Sequence, residues 1–422
     1  MSSQKRSWNL AGQELPRWAN GSRHLRIIFV TGTYPTAATP QTNIFTHRAI
    51  KALSSELEIE VINLCAWKLG RPFVSRAEYD GVPVVSVACP RIPSGKAIYI
   101  NALVQAHFGK YLIQSYLRNA DVIHAATLFP AGFVATQWAR KARKPCTAHA
   151  IGSDVNFLLP QAMRTFFFQP LWHFDGIACE SKDMMGKVLS LFPNSQNVRV
   201  IYRGINTEEF SSLDVQAKNI FPHTPLRFLF LGGFHTWDAS HPFYNIKGGP
   251  IMLQAWHQIE HQIAPDVLIV GGPHVDVYRA HLENWRSSLS RPEAVRFLQT
   301  LHPDAVPEAI RASDVVVIPS LFEGLPNLAK EAQACGRPIL GTDAGGIPEA
   351  VLHDKTGIIV PRGNVDALAS GFLWFHAHKN RIKQLGINAR DHIVREFSWK
   401  DFSTNMTDFF RAAIKLHESE RH

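Results

Sequence analysis

Glu323 and Glu331 stand eight positions apart, on a segment whose residue types suit the binding of a phosphorylated ligand. Val315-Val316-Val317-Ile318-Pro319 reads as a buried strand, and Ser320 to Leu325 as the turn after it. Pro326 to Cys335 reads as a helix, with proline near its first position and Gly336 at its end. The amino end of such a helix has backbone N–H groups to spare, and these suit a phosphate or a sugar hydroxyl. Glu331 lies one helical turn after Asn327, so the two share a face. A carboxylate that accepts two hydrogen bonds is a good partner for a ribose diol. Two glutamates at this spacing are common by chance, a Gly-Gly pair usually marks only a turn, and a lone Lys247 is most often a solvated lysine. The ordered set of motifs carries the argument, not any one of them.

The elements that must position these residues follow a regular alternation. Residues 26–31 are a short apolar run ending at Gly32, a first buried strand. Residues 42–54 carry Ile44, Phe45, Ile50 and Leu53 at helical spacing, and residues 57–64 alternate as a strand does. Further strands are expected at 82–87, 122–124, 146–150, 176–179 and 198–201, with helices between them, including a long one over 97–118. Polar residues at 211–225 break the rhythm and read as a linker. The alternation restarts at 228–231, 267–270, 295–298, 315–319, 338–341 and 357–360, with a polar and aromatic insertion at 234–245. After Phe397-Ser398-Trp399 an amphipathic helix carries Phe402, Met406, Phe409, Phe410 and Ile414. The expected fold class is α/β, with two doubly wound Rossmann-like domains. Their bounds are a tail at 1–24, domains at 25–212 and 226–397, and a helix at 398–422 that packs back on the first domain. Two such domains leave a cleft between the carboxyl ends of their strands, the place where a nucleotide-like ligand binds.

The bulk numbers agree. A chain of 422 residues suits about two domains. Apolar residues make up 45% and charged residues 19%, the balance of a soluble globular protein. No stretch reaches the ~20 apolar residues of a membrane-spanning helix, and residues 1–24 hold no apolar signal core. Cys65, Cys89, Cys146, Cys179 and Cys335 are odd in number and far apart, which argues against a disulfide framework or a zinc cluster and for a reducing cytoplasm. The net charge of +9 suits nucleic acid, anionic lipid or an anionic substrate. The densest basic run, Arg140-Lys141-Ala142-Arg143-Lys144, reads as the solvated end of a helix, so nucleic acid is not an expected partner.

The motifs in order resemble the retaining GT-B glycosyltransferases of the group 1 type, family four. The resemblance rests on Glu323-Gly324-Leu325-Pro326-Asn327 with Glu331-Ala332, then Gly336-Arg337-Pro338, then Thr342-Asp343-Ala344-Gly345-Gly346-Ile347-Pro348-Glu349. Leu231-Gly232 and Lys247-Gly248 resemble the family's strand end and phosphate-binding Lys-Gly. Ile201-Tyr202-Arg203-Gly204-Ile205-Asn206 resembles its hinge, usually Asn-Gly-Val-Asp. The resemblance implies a GT-B architecture with an acceptor-binding first domain and a nucleotide-sugar-binding second domain facing it across a cleft. It implies donor ligands at Gly232, Lys247, Gly324, Leu325, Asn327 and Glu331: Glu331 on the ribose, Lys247 on the diphosphate, Glu323 on hydroxyls of the transferred sugar. Charge that builds on sugar and leaving phosphate is stabilised by placed cations and helix amides. Retention by front-face attack requires no carboxylate nucleophile. No cofactor and no metal is implied, and no Asp-x-Asp pair occurs to hold one on the diphosphate.

The departures matter too. The family often has Arg or Asn after the first glycine near Gly232; here Gly233 and Phe234 follow. Its N-terminal loop is often glycine-rich; here it runs from Thr33-Tyr34-Pro35 to Gln41-Thr42-Asn43. In place of His-Gly-x-Asp stands His149-Ala150-Ile151-Gly152-Ser153-Asp154. His149 is therefore a third catalytic candidate, lining the cleft from one pleat deeper, or an interior histidine under the sheet end, in which case Asp154 is next to consider. A UDP-sugar is the favoured donor and GDP-mannose the next; the acceptor is a glycan, a lipid-linked or a small molecule. A sugar-nucleotide epimerase, a phosphorylase or a non-catalytic homologue of the same architecture are the alternatives. Met163-Arg164-Thr165-Phe166-Phe167-Phe168 with Leu171-Trp172, in the same domain as Arg91, Lys96 and Lys110, suggests peripheral contact with the inner face of a membrane, or a core helix.

Overall fold

The computed structural model describes residues 24–40, 42–93, 97–160, 172–212, 226–234, 236 and 246–421. The first sheet contains β1 (Arg26–Thr31), β2 (Glu58–Ala66), β3 (Val74–Tyr79), β4 (Val82–Cys89), β5 (Val122–Ala125), β6 (Cys146–Ala150), β7 (Gly176–Cys179) and β8 (Val198–Val200), in the order β3-β4-β2-β1-β5-β6-β7-β8. All its pairings are parallel except β3 with β4. The second sheet contains β9 (Arg227–Phe230), β10 (Val267–Val270), β11 (Val295–Phe297), β12 (Val315–Ile318), β13 (Ile339–Thr342) and β14 (Gly357–Val360). Its order is β11-β10-β9-β12-β13-β14, and every pairing is parallel.

The central strand runs are largely apolar because both faces of each sheet are covered there. On β1, Ile28 and Val30 enter one core and Ile27 and Phe29 the other, as alternate side chains must. On β12, Val315 and Val317 pack to one side and Val316 and Ile318 to the other. The fold is therefore α/β, with the two doubly wound domains that the alternation implied and the GT-B architecture that the resemblance implied.

The α-helices of the described residues are α1 (Ile44–Leu53), α2 (Ile98–Leu112), α3 (Gln114–Arg118), α4 (Phe133–Ala142), α5 (Lys182–Leu191), α6 (Gly249–Ile259), α7 (Arg279–Ser287), α8 (Val306–Ala312), α9 (Asn327–Ala334), α10 (Ile347–Ala350), α11 (Val365–Ala377), α12 (Ile382–Glu396) and α13 (Trp399–Ser419). The single helix expected over 97–118 is two, α2 and α3, because Ile113 leaves helical geometry at φ −120°, ψ 15°, where its side chain is fully buried. Strand β3 was not anticipated. Its signal was Asp80-Gly81, both at positive φ (47° and 73°), the turn that joins two antiparallel strands. The polar face of β3 hid it from an argument based on apolar runs.

Helix α13 lies on the first sheet although it follows the second in sequence. Phe402, Met406, Phe409 and Phe410 share a core with Ile27, Phe29, Val122 and Ala178. Ser398 caps its amino end, accepting from the N–H of Asp401 at 3.0 Å and donating to that carboxylate at 2.8 Å. Most of the expected linker, 213–225, and most of the insertion, 235 and 237–245, lie outside the described residues, as do 163–171 of the aromatic segment. Trp172, the last aromatic there, belongs to the core: its ring stands 5.9 Å from Phe129 and 5.6 Å from Phe133. Among the described residues no helix is long and apolar enough to cross a membrane.

Candidate active site

In the second sheet the strand order reverses at β9, with β10 on one side and β12 on the other, so a crevice opens at their carboxyl ends. Gly232 follows β9 and Glu323 follows β12, and both line a cavity of about 590 Å³ between the domains. Lys247 enters from the loop before α6. Gly248, at φ 72°, turns the chain there against the carbonyl of Pro319, a place no Cβ could occupy. The Lys247 ammonium bridges both carboxylate oxygens of Glu323, at 2.7 and 2.9 Å. Ser320 Oγ donates to the same carboxylate at 2.8 Å. Glu323 is 9% exposed, so its carboxylate is held by these partners, while Lys247 stays half-buried and open to the cavity.

Beside this pair, α9 presents its amino end with Pro326 in the cap position and no side-chain cap, leaving first-turn N–H groups free for a ligand. Gly324, Leu325, Asn327 and Glu331 all line the same cavity. Glu331 is 7% exposed, and burial raises its carboxyl to about 7 against the opposing pull of Arg48 and Lys330. The site thus offers a neutralised lysine, a helix amino end and a buried carboxyl, a constellation suited to phosphate, sugar and ribose in turn.

The first domain supplies the facing wall, with Asn43, Phe45, Thr46, Ile151, Glu180 and Arg203. Its backbone reaches the second domain directly: a Cβ on Gly324 would collide with the carbonyl oxygen of Ile151. Asp154 shapes this contact. Its buried carboxylate accepts N–H groups from Leu128 at 2.8 Å, Ile151 at 3.2 Å and Gly152 at 2.9 Å, which fixes the loop rather than meeting a ligand. Gly324 is held from its own side by the N–H of Gly346, which donates to its carbonyl at 2.7 Å.

His149 is not brought into this lining; Ile151 takes that place. The β6 register puts His149 on the sheet face of Thr147 and His124, and that face is covered by α13, whose Phe410 stands 5.2 Å from the His124 ring. His149 is 1% exposed, its ring 6.2 Å from that of His124. Burial, then the nearby Arg203, holds it well below the usual histidine range, so it stays neutral.

Four residues in or beside the cleft were given no role from sequence: Glu180 and Arg203 in its lining, and Lys330 and Glu349 behind it. Glu180 stands 3.0 Å from Arg203 Nε, and Lys330 Nζ, fully buried on α9, donates to the Arg203 carbonyl at 3.2 Å. Burial lowers that lysine to about 8. The signal for Arg203 was visible, since it stands where the hinge motif has asparagine. Glu349 crosses between domains: its carboxylate accepts the Lys182 N–H at the start of α5 and the Tyr202 hydroxyl, at 2.7 Å for the latter.

Two facing Rossmann-like domains with a donor-type crevice at the second sheet define a GT-B protein. The comparisons place it more narrowly. A family model described as "Glycosyltransferase Family 4" matches residues 25–209, and one described as "Glycosyl transferases group 1" matches residues 227–378. The chain belongs to the group 1 glycosyltransferase family. A D-inositol 3-phosphate glycosyltransferase of Streptomyces bingchenggensis is 28% identical over 232 residues, 52% of this chain and 48% of that protein. The Gordonia bronchialis protein of the same name is 38% identical over 152 residues, 35% of this chain and 33% of that protein. The matched region thus spans about half the length of such relatives or less. Among solved structures, the sucrose-phosphate synthase of Thermosynechococcus elongatus superposes with a TM-score of 0.70 at 18% identity, covering 92% of this chain and 98% of that one. Anabaena HepE in complex with UDP-glucose gives 0.65 at 17% identity, covering 92% and 100%. At such identities the likeness speaks to the fold alone.

Proposed function

We propose that this protein transfers a sugar from a nucleotide-sugar donor to a glycan, lipid-linked or small-molecule acceptor, with retention of configuration and without a metal ion. A UDP-sugar is the favoured donor, GDP-mannose the next. The observation that carries the reading is the Lys247–Glu323 ion pair beside the uncapped amino end of α9, with Glu331 in the same cavity. The family membership and the UDP-glucose bound by the HepE structure support it.

Each residue has a role its chemistry allows. Glu331 accepts the ribose hydroxyls. The donor diphosphate takes the Lys247 ammonium from Glu323, and the freed carboxylate of Glu323 accepts hydroxyls of the sugar. As the sugar C1–O bond breaks, the departing phosphate gathers negative charge that Lys247 and the α9 amides stabilise. The acceptor oxygen attacks C1 from the face the phosphate leaves, and its proton passes to the leaving phosphate oxygen. Peripheral contact with an anionic membrane at the inner face, in the cytoplasm, completes the reading; it rests on the sequence of residues 163–171 and the basic residues of the same domain, since Trp172 itself is taken up by the core.

The test is a thermal-shift screen of nucleoside diphosphates and nucleotide sugars, followed by transfer assays with and without EDTA. A ligand that binds the native state raises its stability in proportion to its affinity. A donor-dependent shift and EDTA-resistant transfer are expected. Silence across the whole panel rejects the donor reading, and loss of turnover in EDTA with recovery on manganese rejects metal independence.

A further inference from the structure

Among the described residues that line the cavity, the charged side chains are Arg203, Lys247, Glu180, Glu323 and Glu331. Two cations face three carboxylates before any ligand arrives. Lys247 is already shared between both oxygens of Glu323. The strand-end loop Gly232-Gly233-Phe234 offers no charged side chain. A nucleoside diphosphate entering this cleft brings further negative charge, and the described wall has one other cation to meet it.

That cation is built into the floor. Arg203 is 7% exposed. Its Nε stands 3.0 Å from Glu180 Oε1 without the alignment of a hydrogen bond, and the guanidinium donates to no described residue. Its main chain is fixed from the other domain, where Lys330 Nζ holds the Arg203 carbonyl at 3.2 Å. A buried guanidinium with spare donors is costly unless something accepts them. Its planar fork suits two phosphate oxygens at once.

We propose that Arg203 is a second cationic ligand of the donor diphosphate, offering its terminal nitrogens to the distal phosphate while Glu180 holds the guanidinium in place as a positioning residue. The inference rests on the donor reading above. It also links binding to closure, because the phosphate would be gripped by Lys247 from the second sheet and by Arg203 from the segment after the first.

Calorimetric titration of UDP against UMP, and of GDP against GMP, separates the distal phosphate from the rest of the nucleotide. In the Arg203→Gln protein the preference for diphosphate over monophosphate should fall by about tenfold or more, with monophosphate affinity unchanged. Arg203→Lys keeps charge but loses the fork, so its loss should be smaller. If Arg203→Gln does not fold, Glu180→Gln/Arg203→Gln removes both charges and carries the same measurement. A wild-type preference retained in these variants overturns the assignment of Arg203 and leaves the donor reading standing. Absence of nucleotide binding by the unaltered protein overturns both.

Discussion

The Glu349 carboxylate of the second domain receives the backbone N–H of Lys182 in the first, at 2.8 Å to one oxygen and 2.9 Å to the other. It thus serves as a cap for α5 supplied from across the cleft, beside that helix's own Ser181, which accepts from Met184 N–H. The Tyr202 hydroxyl donates to the same carboxylate at 2.7 Å.

Glu349→Ala should therefore loosen the closed arrangement as well as the local fold. Loss of a charged cap and of the tyrosine's acceptor costs about 1–3 kcal/mol. Glu349→Gln keeps acceptor oxygen and should lose less. Thermal unfolding reads the first effect. Small-angle scattering reads the second, as an increased radius of gyration in the ligand-free Glu349→Ala protein. An unchanged profile with lowered melting temperature would limit Glu349 to local capping.

Lys247→Ala should lower turnover by about 10²–10³-fold, the loss typical when a preorganised charge at a leaving group is removed. It also strands the Glu323 carboxylate, 9% exposed, with Ser320 as its remaining side-chain partner. Lys247→Ala/Glu323→Gln should therefore be more stable than Lys247→Ala while remaining as inactive. Activity near normal in Lys247→Ala would remove the lysine from the mechanism.

His149→Ala should lower stability by about 1–3 kcal/mol and keep turnover per folded molecule within about twofold. The ring is packed under α13 and stays neutral, so neither its charge nor its position serves the cleft. A ~100-fold loss of turnover at unchanged nucleotide affinity would restore it to the reaction.

These residues divide by what a sequence makes legible. Strands β1, β6, β7, β10 and β14 were read to their ends because parallel strands buried on both faces are short, largely apolar runs bounded by polar residues and glycine. Glu323, Lys247, Asn327 and Glu331 were legible because they stand in a fixed order on strand–turn–helix units, and one cavity gathers them. His149 was read from residue spacing, which gives the strand face but not what covers it. The covering helix is α13, more than two hundred residues later. Glu180, Lys330 and Glu349 escaped for the same reason: each acts on a residue of the other domain or of the hinge, and periodicity carries no information about such pairings.

The last prediction concerns pH. Burial raises the Glu331 carboxyl from the ordinary range to about 7, so in the empty cleft near neutrality it is about half protonated. A protonated carboxyl accepts poorly from two ribose hydroxyls, whereas the carboxylate accepts from both. Donor affinity should therefore rise as pH rises through about 7, by about tenfold between pH 6 and pH 8. The probe must be a nucleotide sugar rather than a free diphosphate, because a terminal phosphate titrates near 6 on its own account. Ligand-free stability runs the other way. A carboxyl whose folded value is raised contributes its stabilisation fully below the ordinary carboxylate range and loses it as pH climbs through the folded value. Glu331→Gln should abolish that loss, making the empty variant more stable than the unaltered protein at pH 8, and should flatten the pH dependence of donor binding while weakening it. Titration calorimetry and thermal melting across pH 5.5 to 8.5 check both signs, with the range set to bracket the raised value. A donor affinity as steep in Glu331→Gln as in the unaltered protein would assign the titration to another group and take Glu331 off the ribose.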